Sequence, residues 1–276
     1  MQISGKVFAV TGGGNGIGRE VVLGLVAKGA RVAAIDLSED GLAETVVLAG
    51  DLGDRISTHV VNITDRKAVE KLPAAIIKQH GQVDGLLNIA GIIQKFVPVM
   101  QLEWDQIERV INVNLYGTLN TIKAFLPELV ARPEAALVNV ASMGAYAPVP
   151  GQSVYGATKA AVAQLSRSLH SELMETGVQV TGVFPGGIGT NIAQNSGIMT
   201  AAEMEAMASR AGEGKPRKTT APAEAGRQII EAIEKGSYEI FIGSDARIMS
   251  RLSRLNPKNA AGIIYKQMKD LLTSMN

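Results

Sequence analysis

Seven short runs of aliphatic and β-branched residues, at 6–11, 31–36, 56–61, 83–89, 135–141, 178–184 and 238–242, recur along the chain with stretches of helical length between them. The runs lack the apolar–polar alternation of a half-exposed strand, so each reads as a strand buried on both faces. Segments 17–27, 41–49, 67–79, 104–130, 155–175 and 223–234 carry the length and period of amphipathic helices. Strands of that kind, joined by helical crossovers, require a parallel sheet covered on both sides. The expected fold is therefore α/β: a doubly wound, Rossmann-like parallel sheet of about seven strands, in one domain.

Two segments break the rhythm. Residues 185–221, rich in Gly, Ala, Met and Thr, are far longer than a usual connection and are expected to form a lid. After residue 243, Arg247, Arg251, Arg254, Lys258, Lys266 and Lys269 face only Asp245 and Asp270. Ile248, Leu252 and Leu255 repeat there at i, i+4 and i+7 beside an arginine stripe, which predicts an amphipathic helix that docks its apolar stripe on the core and stops near Pro257. The expected organisation is a core over 1–243, including the lid, and a basic C-terminal helical extension over 244–276.

With 27 basic against 26 acidic residues, the net charge of +1 gives no electrostatic reason for nucleic acid as the main partner. The absence of cysteine removes disulfides, thiolate metal sites and cysteine nucleophiles together. His59, His80 and His170 have no ligand-like spacing, so no metal is expected. No apolar run approaches the ~18 residues of a membrane span, and the first strand begins too early for a signal peptide. A cytoplasmic protein without membrane association is expected.

The first strand ends in Thr11-Gly12-Gly13-Gly14-Asn15-Gly16-Ile17-Gly18 and runs directly into a helix. Glycines at such a turn let the backbone approach a pyrophosphate, whose charge is met by free N–H groups at the helix N-terminus. A P-loop is excluded, because Arg19-Glu20 stands where that motif needs Lys and Ser or Thr. Asp36, closing the second strand, sits where a carboxylate accepts hydrogen bonds from an adenosine ribose. Tyr155 and Lys159 share one face of a helix at i and i+4, and Ser142 closes the fifth strand at the sheet end where ligands sit. A hydrolase elbow around Ser142 is excluded by its context, Val140-Ala141-Ser142-Met143-Gly144.

These residues resemble the short-chain dehydrogenase/reductase family, whose signature is T-G-x-x-x-G-x-G with Y-x-x-x-K; the likeness covers about residues 3–243. It implies binding of NAD through Gly12, Gly14, Asn15, Gly16, Ile17, Gly18 and Asp36. Asn62-Ile63 matches the family's Asp-Val near the adenine, and Asn88-Ile89-Ala90-Gly91 matches its N-N-A-G turn, with Ile89 for the second Asn. Pro185-Gly186-Gly187-Ile188-Gly189-Thr190 matches the P-G-x-V-x-T stretch that holds the nicotinamide amide. The resemblance further implies Asn114, Ser142, Tyr155 and Lys159 as the catalytic set: Tyr155 as general acid or base, Ser142 on the substrate oxygen, Lys159 on the nicotinamide ribose and Asn114 on a water relay. Lys159, helped by the positive nicotinamide of the oxidised cofactor, is expected to draw the Tyr155 pKa down from about 10 toward neutrality.

The expected activity is NAD(H)-dependent interconversion of a secondary alcohol and a ketone by hydride transfer. The alternative is a non-catalytic NAD(H)-sensing binding protein on the same fold. Gln94, Met143, Gly187 and Met199 are the candidate substrate contacts. Ile192, Ile198, Met199, Met204 and Met207 in the lid favour a neutral, fairly apolar substrate. Asn15 in the turn, and the lack of a basic residue between Asp36 and Arg55, favour NAD over NADP. Small residues on the Tyr155 helix (Ala157, Ala160, Ala161, Ala163) permit close helix packing, and a homodimer or homotetramer is expected.

Overall fold

The computed structural model describes residues 1–190, 192–198, 219–269 and 272. Every expected strand is present: β1 (Val7–Thr11), β2 (Arg31–Asp36), β3 (Ile56–Val60), β4 (Gly85–Asn88), β5 (Ala135–Val140), β6 (Val178–Pro185) and β7 (Glu239–Ile242). They form one parallel sheet in the order β3-β2-β1-β4-β5-β6-β7. The order reverses direction between β1 and β4, so crossovers leave their C-terminal ends on opposite sides and a crevice opens there.

The helices are α1 (Gly16–Ala27), α2 (Glu39–Leu48), α3 (Arg66–Glu70), α4 (Leu72–His80), α5 (Trp104–Ile111), α6 (Thr118–Val130), α7 (Ser153–Glu172), α8 (Ile192–Asn195), α9 (Pro222–Lys235), α10 (Ser244–Leu255) and α11 (Pro257–Met268). Two expected helices are divided. Residues 67–79 break at Lys71, because Pro73 in the first turn of α4 has no N–H to continue the preceding helix. Residues 104–130 are interrupted by a π-helical turn, Asn112–Gly117, between α5 and α6.

Strand side chains alternate between two cores. Phe8 and Val10 pack with Val21, Val22 and Leu25 of α1 and with Ile229 and Ile230 of α9. Val7 and Ala9 pack on the other side with Ile76 of α4 and with Ile122, Phe125 and Leu129 of α6. Gly85 on β4 leaves the space that the Phe8 ring fills. This two-sided burial explains why the strands read as continuous apolar runs.

The tail forms a helical hairpin, α10–α11, that packs through Met249, Ala260 and Ile264 onto Ala147, with Met143, Leu252 and Met268 at the border. The expected stripe is not the docked one. Ile248 is 62% and Leu255 86% exposed, and the buried side of α10 is Ala246, Met249 and Ser250. Of the expected row, Leu252 packs at the border of this cluster, while Ile248 and Leu255 face solvent.

A buried polar cluster ties the sheet's lower end. Asp84 accepts from the Val7 N–H (2.9 Å), Gln82 Nε2 (2.6 Å) and Arg132 Nε (2.9 Å) while fully enclosed. Removing the carboxylate strands a backbone donor and a partly buried guanidinium. Asp84→Ala is expected to lower the unfolding free energy by about 3 kcal/mol in urea titrations while leaving dinucleotide affinity of the folded protein unchanged; a loss below about 1 kcal/mol would contradict this role.

Candidate active site

A cleft of about 670 Å³ opens over the C-terminal ends of β1 and β4. It is bordered by Gly12, Gly14, Asn15, Gly16, Ile17 and Gly18 from the turn, Asp36 from β2, Asn62 and Ile63 after β3, and Ala90 and Gly91 after β4. Ser142, Tyr155, Lys159, Pro185, Gly186, Ile188 and Thr190 complete it.

The turn is built for close approach. Gly12 takes φ +74° and Gly16 φ +52°, and a Cβ on Gly18 would overlap the Gly12 carbonyl. Asn15 is the N-cap of α1 but its side chain makes no capping bond, and the first turn holds no acidic residue. The first N–H groups of α1 therefore lack a side-chain acceptor beside the cleft, an arrangement that fits a diphosphate. Thr11 Oγ1 accepts from the N–H groups of Ile89 (3.1 Å) and Ala90 (3.2 Å), stapling the two strand ends. The backbone of Ile89 thus holds its turn without the second Asn of the family pattern.

At the adenosine end, Asp36 Oδ2 accepts from Gly14 N (2.9 Å) and Oδ1 from Ser38 N (3.1 Å). Arg19 also borders this end, a cation that sequence reading missed because it looks like an ordinary first-turn residue. Its guanidinium donates to the Gly14 carbonyl (2.6 Å) and pairs with Glu44 (2.6 Å). The Gly14 peptide is thus gripped at its N–H by Asp36 and at its carbonyl by Arg19. Asn62 turns its side-chain oxygen to Thr64 N (3.0 Å) and Thr64 Oγ1 (2.9 Å), fixing the loop beside the cleft.

At the other end Ser142, Tyr155 and Lys159 converge. Ser142 Oγ accepts from Gly144 N (3.0 Å), and Ser142 and Tyr155 both border the cleft. Lys159 is 5% exposed and donates to the Val140 carbonyl (2.8 Å). Burial lowers its pKa to about 8. Burial raises the pKa of Tyr155, opposed by Ser142. The expected depression by Lys159 is therefore not found among the protein's own groups: the ammonium lies 6.0 Å from the ring centroid and is directed to Val140.

Asn114 is fully buried in the π-helical turn. Its Oδ1 accepts from Ile92 N (2.9 Å), and its Nδ2 donates to Ile92 O (2.9 Å) and Thr158 Oγ1 (3.1 Å). It lies behind Gly91, where a Cβ would come within 3.1 Å of Lys159 Nζ and 3.3 Å of Asn114 Oδ1. Asn114 thus positions the loop over Lys159 and does not border the cleft itself.

Several candidate contacts lie elsewhere. Asn88 is buried below the cleft, donating to Asn139 Oδ1 (2.9 Å) and accepting from Thr121 Oγ1 (2.7 Å), so it links β4, β5 and α6. Gln94 is 1% exposed and consumed by the backbone: its Oε1 accepts from Tyr155 N (2.9 Å) and its Nε2 donates to Gly151 O (2.9 Å). It anchors the first turn of α7 and thereby Tyr155. Met143 packs toward the C-terminal hairpin. Gly187 donates its N–H to Asp245 (2.7 Å) behind the cleft wall. Met199 lies outside the described residues, as do Met204 and Met207; of the apolar lid residues singled out from sequence, Ile192 borders the cleft.

Comparison with known proteins agrees with this geometry. Residues 6–200 match the family model for short chain dehydrogenases. The chain belongs to that family. SadH of Mycobacterium tuberculosis is 35% identical over 258 residues, spanning 92% of each chain. Among solved structures, a short chain dehydrogenase/reductase from Burkholderia phymatum in complex with NAD superposes with a TM-score of 0.83 at 22% identity, covering 95% of this chain and 97% of that one. A short chain dehydrogenase from Burkholderia cenocepacia J2315 in complex with NADP gives 0.78 at 26% identity, covering 96% and 99%. This dehydrogenase is therefore an oxidoreductase of a nicotinamide-using family on a Rossmann-like sheet. No helix among its described residues is long and apolar enough to cross a membrane.

The buried Lys159 gives a pH signature. Its folded pKa, about 8, lies below the ordinary 10.5, so between these values the unfolded chain binds the extra proton and stability rises with pH. Lys159→Met should remove that rise. Urea titrations at pH 7 and 9.5 are expected to show the stability advantage of the variant shrinking by about 2 kcal/mol at the higher pH; a constant difference would mean that Lys159 is not buried as described.

Proposed function

We propose that this dehydrogenase uses NAD(H) to interconvert a secondary alcohol and a ketone on a neutral, fairly apolar substrate. The observation that carries the reading is the convergence of Ser142 and Tyr155, with the buried Lys159 beside them, at one end of a cleft whose other end is bordered by Asp36. The nicotinamide supplies hydride acceptance or donation and, when oxidised, a positive charge. Everything else falls to the chain. Ser142 and Tyr155 converge where a carbonyl or hydroxyl oxygen can receive both hydrogen bonds. With its pKa raised, Tyr155 is protonated at neutral pH and can give its proton to the oxygen of a ketone as hydride arrives at carbon. In the reverse direction it must lose that proton first, which the positive charge of the oxidised ring would favour.

Charge along the cleft supports the substrate class. Arg19, Asp36, Asp40 and Glu44 cluster at the adenosine end, whereas Ile92, Ile93, Val140, Ala141 and Ile192 dominate around Tyr155. Lys159 is the one charged residue described there, and its ammonium is already bonded to Val140. A phosphate or carboxylate on the substrate would find no dedicated cation among the described residues. A non-catalytic dinucleotide sensor would have no use for a serine and a tyrosine paired in this position.

For the dinucleotide, the Asp36 carboxylate opposes a 2′-phosphate carrying about two negative charges. Arg19, the nearby cation, is already neutralised by Glu44. One lost charge-assisted hydrogen bond corresponds to roughly a factor of ten. NAD is therefore expected to exceed NADP at least tenfold in kcat/KM on one substrate. Asp36→Ala should narrow the gap, and Asn15→Arg added to it should narrow it further; equal use by the unmodified protein would overturn the preference.

Tyr155→Phe is expected to lower kcat by at least about 10² while NADH affinity stays within about twofold, since it removes the proton donor and leaves the turn intact. Retention of more than about a tenth of the turnover would refute the assignment of Tyr155.

A further inference from the structure

The segment Pro185 to Thr190 continues from β6 along the cleft wall, with Pro185, Gly186, Ile188 and Thr190 bordering the space. Its backbone is held from behind. Gly186 N donates to Ile242 O (2.9 Å), and Gly187 O accepts from Thr220 N (2.8 Å). Among the described residues, one side chain bonds this segment's backbone: Asp245, whose Oδ2 accepts from Gly187 N at 2.7 Å.

Asp245 stands in the first turn of α10, where the helix dipole favours a carboxylate. It lies outside the segment matched by the family model. Its surroundings are shaped to admit it. A Cβ on Gly186 would strike the Asp245 carboxylate, whose atoms are its three nearest neighbours, and a Cβ on Gly243 would strike Oδ1. Gly187 lies a little farther off, its added Cβ 3.6 Å from Oδ2. A carboxylate thus sits in a socket of three glycines, and the socket is the back of the cleft wall. The Gly186 Cβ direction leads to Asp245, so the conflict there is with the tail.

We propose that Asp245 is a positioning residue through which the C-terminal hairpin sets the nicotinamide-side wall, and that Gly186 is required because Asp245 occupies the space its side chain would take. The proposal rests on the nicotinamide end lying at Tyr155, as in the proposed function, and does not depend on which dinucleotide is preferred.

The test is a double-mutant cycle of Asp245→Ala and Gly186→Ala, with Asp245→Asn as the conservative control. Binding is measured by fluorescence for NADH or NADPH, whichever the unmodified protein binds more tightly, and by competition for ADP, which carries the adenosine half alone. Asp245→Ala is expected to weaken the dinucleotide about fivefold and ADP less than twofold, as loss of one hydrogen bond at the nicotinamide end requires. Asp245→Asn, which keeps an acceptor for Gly187, should recover most of the affinity. Gly186→Ala alone should cost about tenfold or more, and less than about threefold when Asp245 is already Ala. Additive costs, or equal losses for ADP and dinucleotide, would overturn the proposal. If the unmodified protein bound neither reduced dinucleotide, the reading of the site itself would fall instead.

Discussion

An ammonium in the protein interior sets much of the active-site architecture. Taking a charge out of water is costly unless its donors are met, and Lys159 is met by the Val140 carbonyl at the end of β5. The chain passing over it comes close, and a Cβ on Gly91 would press on Lys159 Nζ and Asn114 Oδ1 at 3.1 and 3.3 Å. That loop must in turn be fixed, and Asn114 holds both the N–H and the carbonyl of Ile92. To present Asn114 this way the helix departs from α geometry over Asn112–Gly117, and its freed Asn114 carbonyl is taken up by Thr118 Oγ1 at 2.8 Å. One buried charge thus accounts for a glycine, an asparagine and a helix defect.

The same logic places Tyr155. The N-cap of α7, Gln152, makes no side-chain capping bond, and the buried amide of Gln94 accepts the Tyr155 N–H in its place. The first turn of α7 is therefore anchored to the loop that follows Gly91, so the tyrosine, the lysine one turn later and the wall opposite them move as a unit. Preorganisation of this kind lets two side chains act on one oxygen with little rearrangement.

The sheet, its strands and the cleft residues were legible because each depends on local pattern: runs without alternation, glycines between strand and helix, and the four-residue spacing of Tyr155 and Lys159. Features set by tertiary contact were not. Asn88 sits in a motif associated with the cofactor, yet its amide is spent on Asn139 and Thr121 inside the core. Gln94 reads as a polar loop residue near a site, and only the fold shows that both ends of its side-chain amide are bonded to backbone, at Gly151 O and Tyr155 N, while its own carbonyl accepts from Gln152 Nε2. In α10 two rows of residues could have faced inward. Sequence favours Ile248, Leu252 and Leu255, but the cluster with α11 is formed by Met249, Ala260 and Ile264, with Leu252 alone of that row at its border. The Tyr155 pKa is likewise governed by tertiary context: burial raises it, while burial lowers that of Lys159, whose ammonium is directed to the Val140 carbonyl.

The grip on the Gly14 peptide bears on how this cofactor site can change. Asp36 accepts the N–H of the glycine at the centre of the turn, while Arg19 holds that glycine's carbonyl. A lineage or a designer replacing Asp36 by a small apolar residue would unfasten one side of the peptide that shapes the diphosphate approach. Routes to a phosphorylated dinucleotide that keep an acceptor at this position, such as a serine or asparagine, preserve the turn, whereas routes that delete it must rebuild the loop as well. The carboxylate we propose to discriminate between the dinucleotides is also bonded into the turn, so a change of preference at this position would be coupled to the turn's architecture.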